Sequence, residues 1–153
     1  MTGRPRTVDV PPPRTRILAE SDRRGRDAVV AGCVSLLAGA DDRDVPLIVV
    51  LGGPAASWAL DPESGGPGSS RWYWVRVWAA RGLLWAWDDR AASTVVRALG
   101  DSEWRVREMA AKVVARHLVG DALATVTVLR TDPIPRVRAA AHRAVVALTA
   151  AGA

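Results

Sequence analysis

The stretch Asp101-Ser-Glu-Trp-Arg-Val-Arg-Glu-Met-Ala110 decides the fold, because it returns 31 residues later as Asp132-Pro-Ile-Pro-Arg-Val-Arg-Ala-Ala-Ala141. The same Val-Arg-x-x-Ala core also stands 31 residues earlier, at Val75–Ala79. A second pair of positions keeps this offset, since Thr94-Val95 recurs as Thr125-Val126. Self-similarity at such a period is typical of stacked helical pairs. The sequence therefore predicts an all-α protein, a right-handed α-solenoid.

Each unit of this repeat predicts two helices. In the first unit, apolar residues on one face indicate a helix over 72–87, and Asp88-Asp89 offers the start of another over 90–99. The other predicted helices lie at 22–38, 45–51, 103–118 and 121–130. One domain is expected over 21–153, and the predicted segments are a mobile Arg- and Pro-rich tail 1–20, a degenerate repeat 21–53, an insertion 54–70, repeats 71–100 and 101–131, and a partial repeat 132–153.

These units resemble the HEAT-repeat family, in particular its HEAT-like repeats of the phycobilisome-lyase type. The resemblance rests on Asp101, Val106-Arg107 and Ala110 and on their counterparts in the next unit. It covers 71–153 well and 21–53 loosely, and it implies stacked helical pairs of about three and a half repeats. It leaves the task open, because this scaffold carries many unrelated functions. The chain departs from the family in its insertion and in a last unit that ends after its first helix.

Composition excludes several classes of protein. The 153 residues suit one domain, and they include 21 basic residues, of which only Lys112 is lysine. A single cysteine excludes an internal disulfide framework, and one cysteine with two histidines excludes a Cys/His zinc cluster. No apolar run approaches the roughly 18 residues that a membrane-spanning helix needs. Thirteen basic against seven acidic residues over 71–153 place any anionic partner in that half or in the tail.

One stretch imitates an export signal. Arg23-Arg24 precedes an apolar run that contains a lipobox-like sequence ending at Cys33. However, Val29, Val30, Cys33, Leu36 and Leu37 fall on one face of a helix, and the apolar centre of a signal peptide lacks such amphipathicity. We therefore expect a cytoplasmic protein, with export as the lesser alternative.

The repeated Arg and Asp residues are expected to form a structural ladder between units. Arg76, Arg107 and Arg138 occupy equivalent positions, while Asp101 and Asp132 precede the second and third arginines by six residues. In the family, such positions join adjacent repeats, because a guanidinium can bond a carboxylate and helix-end carbonyls together. These residues are therefore not expected to bind a ligand.

A second face of the same helices is the candidate binding surface. Helix geometry places four rows of repeat-equivalent residues on one stripe, away from the Val/Ala core face. The residues expected to bind there are Trp74, Trp78, Arg81, Trp85, Arg105, Lys112, Arg116, Arg136 and Arg143. Aromatic rings among basic side chains are typical of surfaces that bind nucleic acid. Tryptophan and arginine are also common in protein interfaces. The alternative is a solvated charged face whose tryptophans are covered by the insertion around Trp58.

Catalytic constellations are poor in this sequence. No phosphate loop, metal signature or nucleophile elbow is present, so no catalytic residue, metal or cofactor is expected. The leading hypothesis is a non-catalytic module that binds a protein partner through its repeat surface. Nucleic-acid binding by the stripe is the alternative. A third hypothesis is a lyase or DNA-repair enzyme with a pocket near Trp58, Trp78 or Asp61. The C-terminal end is also a possible contact between two copies in a homodimer.

Overall fold

The computed structural model describes residues 3, 8–40 and 44–152, and every regular element in those residues is helical. Short 3₁₀ turns lead into or follow several of the α-helices. The α-helices are α1 (Pro13–Arg24), α2 (Arg26–Leu37), α3 (Val45–Gly52), α4 (Ala56–Ala59), α5 (Tyr73–Gly82), α6 (Ala92–Ala98), α7 (Trp104–His117), α8 (Leu123–Val128) and α9 (Pro135–Ala150).

The N-terminal segment differs from its sequence expectation. The predicted mobile tail over 1–20 is wrong from Pro13 onward, where α1 begins, and residues 1, 2 and 4–7 lie outside the described part. Proline suits the first position of a helix, because its φ is fixed near the helical value and because an N–H group at that position would have no hydrogen-bond partner within the helix. Ile17 is fully buried and anchors α1 to the core. The single helix expected over 22–38 is divided by Gly25, whose φ of +94° favours glycine.

The long helices that carry the repeat pack side by side. Neighbouring contacts run from α2 to α5, from α5 to α7 and from α7 to α9, while α1 and α3 pack on each other and α3 also packs on α5. Equivalent core positions behave alike, since Val75, Val106 and Val137 are all fully buried. The repeat in the sequence therefore corresponds to one recurring core position on successive helices.

Helix α2 accounts for the stretch that imitates an export signal. Its buried residues are Val29, Val30, Cys33, Leu36 and Leu37, which confirms that the predicted apolar face of this helix is buried. Burial raises the pKa of the Cys33 thiol to about 12, as expected for a cysteine that fills the core. Within the described residues, no helix has the length and apolar character needed to cross a membrane.

Two arginine–aspartate pairs connect successive units. Arg76 donates from Nε and Nη2 to Asp101 at 2.8 and 3.0 Å, and Arg107 donates in the same way to Asp132 at 2.9 and 3.2 Å. Arg138 donates to the Asp132 carbonyl oxygen at 2.8 Å. Each aspartate thus receives the arginine of the preceding unit, 25 residues earlier, on its carboxylate.

The same aspartates also organise the next helix start. Asp101 accepts a hydrogen bond from the Glu103 N–H at 2.9 Å, and Asp132 accepts one from the Ile134 N–H at 2.9 Å. Burial alone would raise the pKa of Asp132, but the hydrogen bonds from Arg107 and Ile134 hold it below its ordinary value. The carboxylate is therefore kept charged between two units.

Helix α5 is shorter than predicted, ending at Gly82 rather than near residue 87. The chain continues as turns over 83–85, which leaves the carbonyl groups of Leu83 and Leu84 outside the helical pattern. Arg116 donates to the Leu84 carbonyl at 2.7 Å, and the His117 ring lies 2.7 Å from the Leu83 carbonyl oxygen. Side chains of α7 thus satisfy the end of α5.

Candidate interaction surface

One residue of the predicted stripe lies in the interior, and a second is partly buried. Trp78 is only 5% exposed, and its ring lies 5.6 Å from the Trp58 ring of the insertion. Arg81 donates from Nη2 to the Leu51 carbonyl oxygen at 2.7 Å, at the end of α3. Placing Trp78 on an open surface is therefore wrong, whereas Arg81 is partly exposed with one guanidinium nitrogen bonded inward. For Trp78, the alternative that the insertion covers the tryptophan holds.

Arg81 has a structural position of its own. Arg16 of α1 donates to the Val50 carbonyl at 2.8 Å and, more weakly, to the Leu51 carbonyl at 3.4 Å. Two guanidinium groups therefore meet at the C-terminal end of α3, where the helix dipole favours positive charge. Burial lowers the pKa of Arg81, and the nearby Arg16 charge lowers it further. The buried Nε of Arg81 has no hydrogen-bond partner among the described residues.

At one end of the stripe, tryptophan and arginine side chains alternate across three helix starts. Arg105 lies 5.1 Å from the Trp74 ring centroid and 4.4 Å from that of Trp104, and Arg136 lies 5.6 Å from Trp104. We call Trp74, Arg105, Trp104 and Arg136 the Trp–Arg column. Trp104 is not among the predicted stripe residues, and only the packing of α7 beside α5 and α9 brings it between two guanidinium groups.

At the other end, an open groove of about 510 Å³ lies between the turn that follows α5 and the helices α7 and α9. Trp85 contributes an aromatic wall, and the charged lining consists of Lys112, Arg116 and Arg143. We call this site the cationic groove, and it is lined by Leu84, Trp85, Lys112, Ala115, Arg116, Ala140 and Arg143. The bond from Arg116 to the Leu84 carbonyl holds that guanidinium at the mouth.

A single buried carboxylate lies between the column and the groove. Glu108 is 7% exposed and accepts Lys112 Nζ at 3.0 Å and Arg136 Nη2 at 3.2 Å. Within the described residues, Arg105, Arg116 and Arg143 form no ion pair. Arg105 and Arg116 stand eleven residues apart on α7, which corresponds to about 16 Å along the helix. Column and groove thus form one elongated surface with excess positive charge.

The insertion builds a further pocket beside the column. It has a volume of about 250 Å³ and is lined by Ala55, Trp58, Arg71, Trp74 and Trp78. The Arg71 guanidinium lies 4.5 Å from the Trp58 ring centroid. The sequence pointed to Trp58 as a cover and as a residue near a possible pocket, but not to Arg71, since no periodicity relates the insertion to α5.

The residues considered for chemistry do not converge. Asp61 accepts hydrogen bonds from Ser64 and Glu63, which lower its pKa, and it is not among the residues that line the aromatic pocket. The His117 ring stacks on Trp87 at 4.4 Å, and burial lowers its pKa. The adjacent acidic residues Asp41 and Asp42, which the sequence offers as a helix start rather than a catalytic pair, lie outside the described residues. No group of three metal-ligating side chains occurs in the part of the chain that the structure describes.

Comparison with protein-family models, with the curated proteins and with the solved structures finds no match to this chain. The candidate surface must therefore be interpreted from its own geometry.

Proposed function

We propose that this chain is a HEAT-like α-solenoid and serves as a non-catalytic interaction module for a protein partner. The equivalent burial of Val75, Val106 and Val137 supports the repeat architecture, as do the two Arg–Asp pairs between units. Repeat scaffolds of this kind bind through extended surfaces built from successive helices. The surface proposed here runs along α5, α7 and α9.

The cationic groove carries the proposal, because its charged lining is entirely basic. Lys112, Arg116 and Arg143 would pair with carboxylates of an acidic segment, and Trp85 would contact an apolar side chain beside them. Complementary charge of this kind guides encounter and selects partners more than it sets affinity. The partner proposed is therefore a protein segment rich in Asp and Glu.

Nucleic-acid binding is the second candidate, and the Trp–Arg column favours it. Bases stack on exposed ring faces while basic groups follow the backbone. However, Arg105 lies over the rings of both Trp74 and Trp104, and Arg136 lies over Trp104 as well. Guanidinium groups therefore occupy ring faces that bases would need. This occupancy makes the acidic peptide the better candidate.

Two labelled probes of similar charge distinguish these functions. Fluorescence anisotropy at low salt would compare an octaglutamate peptide with an octathymidylate on the full chain. We expect the peptide to bind more tightly, with affinity that falls as salt rises. Tighter binding of the oligonucleotide, with quenching of tryptophan fluorescence, would select the second candidate instead.

Charge reversal in the groove provides the matched variant. Arg116→Glu with Arg143→Glu should weaken peptide binding about tenfold or more, because it places repulsion where pairing is proposed, at two exposed residues without an ion pair in the described part of the chain. Arg97→Glu with Arg130→Glu changes the net charge equally at exposed positions that do not line the groove. Equal losses in the two double variants would contradict a defined site.

Light scattering on the same samples measures whether the chain pairs with itself, as the C-terminal homodimer hypothesis requires.

A further inference from the structure

The Arg138 guanidinium is oriented like that of Arg107 but holds no carboxylate within the described residues. Arg107 donates from Nη1 to the Asp101 carbonyl oxygen at 2.9 Å, and Arg138 donates from Nη1 to the Asp132 carbonyl oxygen at 2.8 Å. The Nε and Nη2 atoms of Arg107 bind the Asp132 carboxylate, whereas those of Arg138 have no hydrogen-bond partner in the described part of the chain. Arg138 is also exposed. The edge of Arg138 that would bind a carboxylate is therefore oriented and open.

The face of α9 that continues from Arg138 lacks the cover that its counterpart on α7 has. Ala111 and Val114 on α7 are fully buried, and α9 packs along that helix. At the repeat offset of 31 residues, His142 is exposed and Val145 is only partly buried. Positions that a following helix covers on α7 are thus accessible on α9. We call this part of α9 the outer face, and it consists of Arg138, His142, Val145, Val146 and Thr149.

An apolar groove lies along the outer face. Its volume is about 430 Å³, and it is lined by Arg130, His142, Val145, Val146, Thr149 and Ala150. Val146 is 54% exposed, although it is apolar. Arg138, His142 and Val146 follow one another at intervals of four residues on α9, which places them on one side of the helix. The outer face therefore has a guanidinium at one end and an apolar groove at the other.

The two earlier arginines show what binds such a face. Asp101 binds Arg76 and precedes α7, which packs on α5. Asp132 binds Arg107 and precedes α9, which packs on α7. We propose that the outer face binds a helix of another protein in the same way, with an aspartate before that helix on Nε and Nη2 of Arg138 and its apolar side in the groove. Two parallel hydrogen bonds between carboxylate and guanidinium give this pairing its geometric specificity.

The charge of the outer face restricts the partner further. Arg130, Arg138 and His142 form no ion pair within the described residues. A helix rich in lysine or arginine would meet repulsion there, whereas carboxylates would be attracted. The apolar groove shares no lining residue with the cationic groove, so binding here does not depend on the proposed function of that groove.

Two peptides that differ in one functional group test the proposal. The first has the sequence of residues 132–150 with Arg136→Glu and Arg143→Glu, and the second also has Asp132→Asn. Both substituted arginines are exposed on α9, so the peptides keep the apolar face that packs on α7 and carry less positive charge. In anisotropy titrations of the full chain, we expect the Asp peptide to bind about tenfold more tightly than the Asn peptide, because only the carboxylate gains charge-assisted hydrogen bonds from Arg138.

Variants of the full chain locate this preference. Arg138→Gln should reduce it to about twofold or less, because the guanidinium is gone. Arg138→Lys should retain a preference of only about threefold, since lysine keeps the charge but lacks the planar fork. Arg143→Gln is the matched control, because it is exposed on the same helix and lines the cationic groove, and it should leave the tenfold preference unchanged. Arg138 is exposed, so none of these substitutions changes the core.

The apolar contact has its own variant. Val146→Glu should weaken both peptides together by about tenfold, because it places a charge in the apolar groove at an exposed position. In ¹⁵N–¹H NMR spectra of the unsubstituted chain, the Asp peptide should change the amide signals of His142, Val146 and Thr149 most.

Three results of these titrations would overturn the proposal. They are equal binding of the two peptides, an Asp preference that survives Arg138→Gln, and signal changes confined to the cationic groove. Light scattering distinguishes another protein from a second copy of the chain. A monomer that binds the Asp peptide supports the proposal, whereas a dimer that Val146→Glu dissociates would identify a second copy on the outer face and overturn it. Failure of the peptide series leaves octaglutamate binding in the cationic groove unaffected, so the two proposals fail separately.

Discussion

Arg107 joins two unit boundaries with one guanidinium group. It donates from Nε and Nη2 to the Asp132 carboxylate at 2.9 and 3.2 Å, and from Nη1 to the Asp101 carbonyl oxygen at 2.9 Å. Asp132 in turn accepts the Ile134 N–H just before α9. A single pair therefore couples the start of α7 to the start of α9. Substituting a residue of the Arg107–Asp132 pair therefore tests how much this contact stabilises the packing of neighbouring units.

Removing the carboxylate should destabilise the fold strongly. Asp132→Ala leaves the largely buried Arg107 charge without its partner and removes a hydrogen bond at the start of α9. Removing one partner of a buried ion pair costs about 3–5 kcal/mol. We expect urea titrations to show a loss of about 3 kcal/mol in the free energy of unfolding. Asp121→Ala, at an exposed position before α8, should change it by less than about 0.5 kcal/mol. Equal effects of the two substitutions would show that the pair is not stabilising.

The insertion should tolerate a methyl group at one glycine and reject it at another. Gly65→Ala would place Cβ 2.4 Å from the Trp58 carbonyl oxygen and 2.6 Å from that of Ala59, and backbone cannot move aside as a side chain does. We expect a loss of about 1–3 kcal/mol, as for overpacking elsewhere, together with a shifted Trp58 indole signal. Gly68→Ala meets no heavy atom within 4 Å and serves as the control in the same loop. An unchanged Trp58 signal in Gly65→Ala would contradict the described contact.

Acidification should weaken the fold through His117 before the carboxylates titrate. Burial lowers the pKa of His117 below its ordinary value of about 6.5, so the folded state favours the neutral form of the ring. As pH falls below that value, the unfolded chain takes up a proton first, and the free energy of unfolding decreases until the lowered pKa is passed. The contribution of His117 to the free energy of unfolding is therefore fully present above about pH 6.5, and it is lost progressively as the pH falls below that value.

Urea titrations at several pH values between about 7.5 and 5 check this window. His117→Gln should flatten the dependence, because the titrating ring stacked on Trp87 is gone. His142→Gln, an exposed position on α9, should retain it. A slope that survives His117→Gln would contradict the assignment of this pH dependence to the His117 ring.

Neutralising Glu108 should strengthen binding of an acidic peptide. This carboxylate pairs with Lys112 and Arg136, so Glu108→Gln releases positive charge toward the cationic groove while keeping a hydrogen-bonding side chain of the same shape. We expect about threefold tighter binding of octaglutamate by anisotropy at low salt, and a smaller gain at high salt. Glu63→Gln, exposed in the insertion, removes the same charge away from the surface. Equal gains would point to net charge alone.

Much of the helical scaffold could be predicted from the sequence. The 31-residue spacing predicted equivalent helices, and Val75, Val106 and Val137 are buried alike because local periodicity already places them on one face. The amphipathic pattern of α2 was likewise sufficient, since five apolar residues at helical spacing have one way to be buried together. The start of α1 lies within the segment expected to be a mobile tail, because proline disfavours the interior of a helix but suits its first turn.

The sequence by itself determined which residues recur and which helix faces are apolar, because both depend on spacings within a helix or a repeat. Only the tertiary structure decided what each polar or aromatic side chain contacts. Arg81 satisfies the Leu51 carbonyl, Trp58 covers Trp78, and Arg71 lies over Trp58, all through segments that no period relates. Those contacts depend on how the insertion and α3 pack against α5, and the free energy of burial across that packing, rather than local pattern, selects them.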